Sequence, residues 1–116
     1  MRSVLTAVFL LASQIGNAEP LKCTITKKFV CDVAQGCRPS AASIWNEIDL
    51  ERKTFARCDR ASCDTYDARM SQSGAYTNIE VPGRGLIAKL GGPNPAEFVE
   101  VATLMGTVLN SFGSCR

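Results

Sequence analysis

Hydrophobic and polar residues alternate along most of this chain with a period of two, the mark of strands that bury one face. From Leu21, the positions Leu21, Cys23, Ile25 and Phe29 form one face and Lys22, Thr24, Thr26 and Lys28 the other. Gln35 to Ala42 is small and polar, with Gly36 and Pro39, and predicts a loop. Alternation resumes with Ile44, Ile48 and Leu50 set against Trp45, Glu47 and Asp49, which places Ile48 and Leu50 inward. A turn near Glu51 to Lys53 leads into Thr54 to Cys58. The segment Cys58-Asp59-Arg60-Ala61-Ser62-Cys63 predicts a stapled hairpin loop that enters a strand from Asp64 to Met70. Beyond a break at Gly74, Ala75, Thr77, Ile79 and Val81 carry the pattern on. Pro82-Gly83-Arg84-Gly85 is a strong turn signal before Leu86, Ala88 and Leu90, and Gly91-Gly92-Pro93-Asn94-Pro95 is another breaker.

Ala96 to Met105 has two readings. Asn94 as cap, Pro95 in the first helical position and Glu97 three residues after the cap form a helix start. Phe98, Val99, Val101 and Thr103 favour a strand, and Gly106 divides this run from Thr107 to Phe112 as a hairpin turn would. The strand is the reading adopted. The runs together predict an all-β fold, a small antiparallel β-barrel or sandwich of seven to eight strands. Trp45, Phe29, Phe55, Phe98 and Phe112 are expected in its core or packed across its strands.

Residues 1–18 have the three parts of a signal peptide. Arg2 is the basic start, Val4 to Ala12 the apolar centre, and Gly16-Asn17-Ala18 the small-residue cleavage site. The apolar run is far shorter than the roughly 20 residues of a membrane span. Lys22 before Cys23 spoils a lipid-attachment motif. The expected product is a periplasmic or secreted protein of one β domain over residues 19–116, with no membrane span.

Six cysteines, Cys23, Cys31, Cys37, Cys58, Cys63 and Cys115, all follow the expected cleavage site. An even count in a short exported chain implies disulfides, because a core this small needs covalent support. No CxxC pair and no histidine are present, so neither a zinc site nor any other metal is expected. Six cysteines allow fifteen pairings; the one adopted joins Cys31 with Cys37 and Cys58 with Cys63 across short loops, and Cys23 with Cys115 to tie the ends together.

Without histidine, the usual general base is missing and Ser-His-Asp or Cys-His catalysis is excluded. Glu47, Asp49 and Glu51 alternate onto one face and read as a solvated surface rather than a catalytic carboxylate pair. Asp59, Asp64 and Asp67 lack EF-hand spacing and read as turn formers. No enzymatic activity and no cofactor are expected. Removing Arg2 with the signal peptide leaves twelve basic and eleven acidic residues, well mixed, so the net charge falls from +2 to +1. Lys27-Lys28 is too short to form a basic stripe, and nucleic acid is not an expected partner.

The segment Ser71 to Leu90, SQSGAYTNIEVPGRGLIAKL, is the candidate binding region. Ser73-Gly74-Ala75 is followed by Tyr76, and Arg84-Gly85 is followed by Ala88 and Leu90. The strand pattern suggests that the Ser73 hydroxyl and the Arg84 guanidinium lie side by side. In these residues the chain resembles the bacterial periplasmic and membrane-bound inhibitors of c-type lysozyme. That family has a Ser-Gly-Ala motif followed by tyrosine, and a basic residue before Gly-x-x-Ala-x-Leu. The resemblance implies a small exported barrel with c-type lysozyme as partner. It also implies that Ser73 and Arg84, with Tyr76 nearby, enter the enzyme's cleft and engage its two catalytic carboxylates. A guanidinium there would make charge-assisted hydrogen bonds while excluding water. The alternative is a small envelope domain that binds other proteins or fills a structural role. Several exposed apolar side chains on one sheet face would mark that alternative.

Overall fold

The computed structural model describes residues 19–41, 44–93 and 95–116; the expected signal peptide lies outside the described residues, as does Asn94. Ten strands follow in chain order: β1 (Leu21–Asp32), β2 (Gly36–Ser40), β3 (Trp45–Asp49), β4 (Thr54–Cys58), β5 (Cys63–Asp67), β6 (Arg69–Ser73), β7 (Tyr76–Val81), β8 (Leu86–Gly91), β9 (Ala96–Leu104) and β10 (Thr107–Cys115). Their order in the sheet is β5-β4-β3-β1-β10-β9-β8-β7-β6, with β2 added to β1. Every pairing is antiparallel.

The two ends of that order are consecutive in sequence. Only Ala68 separates β5 from β6, and its N–H donates to the Lys53 carbonyl at 2.9 Å. One residue cannot reverse the chain, so Cys63 to Ser73 is in effect a single bent strand. Its first half pairs with β4 and its second half with β7, which brings the sheet close to a complete barrel. Near-closure of this kind leaves little open edge for sheets to aggregate on, confined to β2, β5 and β6.

The class expected from the sequence is correct, but the strand count is ten rather than seven to eight. One added strand is β2, inside the segment expected to be a loop. Its sequence, GCRPS, carries no alternation; what holds it is the Cys31–Cys37 bridge between directly opposed residues. Pro39, which has no N–H to give a ladder, is tolerated because no strand among the described residues pairs with the far side of β2. The other added strand comes from the bend at Ala68, which divides the expected Asp64–Met70 run. The capped-helix reading of Ala96 onward fails, since β9 takes its place and pairs along its length with β10. Leu50 also departs from expectation: it sits in the β3–β4 turn, nearly half exposed, because the strand ends one residue earlier.

β1 holds two neighbours on one side in succession. A bulge between Ile25 and Lys27 shifts its register against β10. Before the bulge β1 pairs with β3, and after it with β2. The extra residue, Thr26, is tied by its hydroxyl, which donates to the Phe112 carbonyl at 3.1 Å. Bulges bend a strand in this manner at barrel rims.

Inside the barrel, Ile48, Phe55, Ile79, Val81, Leu86, Leu90 and Phe98 are buried, and Phe55 stacks on Phe98 with ring centroids 6.3 Å apart. Burial of each such side chain contributes about 1.5–3 kcal/mol. Phe29 and Phe112 instead meet edge-to-face outside, at 6.3 Å, with Phe112 exposed. Trp45 also faces outward, with the Lys22 ammonium 4.9 Å from its ring centre. The three disulfides are the expected pairs, Cys23–Cys115, Cys31–Cys37 and Cys58–Cys63. Each bridges residues directly opposite on neighbouring strands. Such bonds fit an oxidising environment.

Candidate functional site

Ser73 and Tyr76 flank the two-residue β6–β7 turn and pair with each other across it. Gly74, at φ +61°, supplies the positive φ that such a hairpin needs at its first central position. Tyr76 is paired with Gly91, and its ring lies where a side chain at Gly91 would sit, so the glycine makes room for it.

Arg84 lies elsewhere. It belongs to the β7–β8 turn, where its N–H donates to the Val81 carbonyl at 3.2 Å. Its guanidinium covers the Tyr66 ring at 4.7 Å from the centroid. The turn is pinned to β9 by the Thr103 N–H, which donates to the Gly85 carbonyl at 2.9 Å. β7 begins at Tyr76 and ends at Val81, so its length, about 17 Å at the usual strand rise, separates Ser73 from Arg84. The structure therefore unites Ser73 with Tyr76 but not with Arg84. The expected juxtaposition fails because a strand, not a turn, joins the two motifs.

Glu47, Asp49 and Asp59 behave as surface and turn groups, unlike the buried Glu100. Glu47 accepts from the Trp45 indole N–H at 3.0 Å and stands 3.4 Å from Cys58 Sγ. Glu47, Cys58 and Cys63 are close enough together to suggest metal ligands, but both sulfurs are committed to a disulfide. Asp49 Oδ1 accepts the N–H groups of Glu51 and Arg52 at 3.0 and 2.9 Å. Asp59 accepts those of Ser62 and Ala61, which hold its carboxyl below the usual range. These are turn contacts, as expected for aspartates in loops.

The feature that stands out is one the sequence reading did not single out. On the outer face of β8, β9 and β10, Ile87 pairs with Val101 and Val99 with Phe112. Ile87 is 58% exposed, and Val99, Val101 and Phe112 are each more than a third exposed. Tyr76, Ile87, Val99 and Val101 line a shallow groove of about 450 Å³, with Lys89 and Glu97 also on its walls. Phe29 extends the apolar surface onto β1. The available signal was β9 itself, where Val99 and Val101 fall on the face opposite Phe98 and Ala102, so both faces carry apolar residues.

No family model matches the chain, and neither the curated proteins nor the solved structures contain a significant match to it.

Proposed function

We propose that the protein is an exported, non-enzymatic protein-binding domain, acting in the periplasm or outside the cell, whose recognition surface is the outer face of β8, β9 and β10. The observation that carries this reading is the contiguous exposed set Ile87, Val99, Val101 and Phe112. A monomeric surface seldom leaves such a set together without a use for it. The groove carries one cation and one anion, Lys89 and Glu97, so it favours a partner that is apolar at its centre and near neutral overall. Tyr76 gives the groove an aromatic wall with a polar tip, a residue type enriched at interface centres. The three disulfides agree with an exported site of action.

The lysozyme reading needs Ser73 and Arg84 in one cleft, and their separation along β7 weighs against that mechanism. Lysozyme nevertheless remains the first partner to try, because the resemblance names it. Immobilised mature protein should be challenged with c-type lysozyme and with envelope extract, beside Ile87→Asp, Phe112→Asp and Arg84→Ala. Partner retention should fall at least about tenfold for the two aspartate variants, since a charge is placed in a desolvated contact, and should survive Arg84→Ala. Equal retention by Ile87→Asp, Phe112→Asp and the wild type would falsify the proposal, whereas loss confined to Arg84→Ala would restore the lysozyme-cleft reading.

A further inference from the structure

Two hairpin tips at one end of the sheet carry side chains that turn chemistry does not explain. β1 passes to β2 through Val33-Ala34-Gln35, and β9 passes to β10 through Met105-Gly106. The tips are neighbours, because Asp32 at the end of β1 is paired with Thr107 at the start of β10. Turns favour glycine, proline, asparagine, aspartate and serine. These tips instead present Val33 and Met105, both fully exposed, and Leu104, 60% exposed. None of the three is buried against the core, so folding gives no reason for their character.

The platform beneath them is firm. The Cys31–Cys37 disulfide clamps opposed residues next to the β1–β2 turn. Asp32 accepts the Gln35 N–H at 2.7 Å and pairs with Arg38 at 3.1 Å. The Gln35 N–H first, and then Arg38, hold the Asp32 carboxyl below its usual range, and Arg38 balances its charge. The tips are thus apolar, projecting and braced, with the carboxylate nearest the β1–β2 turn neutralised.

We propose that this twin-hairpin tip docks on a lipid surface, with Val33, Leu104 and Met105 entering the boundary between headgroups and acyl chains. Protein interfaces are usually anchored by tryptophan, tyrosine or arginine seated in pockets. Val33 and Met105 stand fully exposed at turn tips instead of lining a groove, the form a deformable lipid boundary accepts. Binding at that boundary grows with the apolar area buried. The contact leaves the protein lying on the membrane and not spanning it, and it is separate from the groove on β8 and β9.

The test uses the mature protein with its disulfides intact and vesicles of mixed phosphatidylethanolamine and phosphatidylglycerol. Wild type should sediment with the vesicles, and the double variant Val33→Asp with Met105→Asp should lose about tenfold or more of its partitioning. Its circular dichroism and melting should be unchanged, because both sites are solvent-exposed. In a second variant, Met105→Trp, tryptophan emission should shift to the blue on adding vesicles and be quenched by brominated lipid. Equal sedimentation of the double variant, or a tip tryptophan indifferent to lipid, overturns the proposal. If wild type ignores vesicles while the double variant loses a protein partner, the tip is a protein contact and the lipid proposal also falls.

Discussion

Two strands of the same wall, β7 and β9, use the two faces of the sheet in opposite ways. On β7 the rule holds: Ile79 and Val81 are buried and Glu80 between them is exposed. On β9 it is partly inverted. Glu100 points inward and is only 2% exposed, while Val99 and Val101 point outward into solvent. The buried glutamate is answered across the barrel by Arg57 of β4 at 2.6 Å. A buried pair of this sort is weak evidence for stability, because desolvation offsets much of the attraction. β7 is therefore explained by folding alone. β9 carries apolar residues that folding does not use and a charge pair that a packed apolar core would not need. This contrast is what directs attention to the outer face of β9.

The contrast can be broken from the inside first. Phe98→Ala, which empties the β9 position stacked on Phe55, should cost about 3–5 kcal/mol in denaturant unfolding. A loss below about 1 kcal/mol would mean that the inner face of β9 is not core at all. Next in size, Arg57→Leu should cost about 3 kcal/mol by leaving Glu100 buried without a partner. Adding Glu100→Leu should recover most of that loss, since two apolar side chains then meet where the ion pair stood. If the double variant is as unstable as the single, the pair is holding more than itself. Asn46 Oδ1 and Arg57 Nε, on directly paired residues, are buried without a hydrogen-bond partner among the described residues, and they would be the place to look. The smallest effect belongs to the outside: Val101→Thr should change stability by no more than about 0.5 kcal/mol. A loss of 2 kcal/mol or more there would show that the outer valines are needed for folding, and the binding reading would lose its ground.

Much of the fold was legible because period two survives in most strands. β3, β8 and the second half of β7 follow it, and Cys31–Cys37 and Cys58–Cys63 suit their short loop spacing, whereas Cys23–Cys115 joins residues 92 apart. β2 was hidden since its residues have poor strand propensity and are held by a covalent bond and a neighbour. The bend at Ala68 was hidden since a strand that changes partners keeps its alternation. The site was less legible. Ser73-Gly74-Ala75-Tyr76 and Arg84-Gly85 are each visible as turns, yet nearness in sequence says nothing about which end of β7 each turn occupies. The outer apolar face was missed for a related reason. Ile87, Val99, Val101 and Phe112 each look like ordinary strand residues, and only the pairing of β8 with β9 and of β9 with β10 makes them one surface.

The Cys23–Cys115 bond has a consequence for survival among proteases. It joins residues 92 apart in sequence, and both sulfur-bearing side chains are buried. The chain between them is a covalent ring. A single cut in any exposed turn, whether at Arg52, Arg60 or Arg84, opens that ring without releasing a fragment. The nicked molecule keeps one mass, apart from the water added, and its two pieces stay held at the centre of the sheet where β1 meets β10. Only a second cut, or reduction, would let a piece leave.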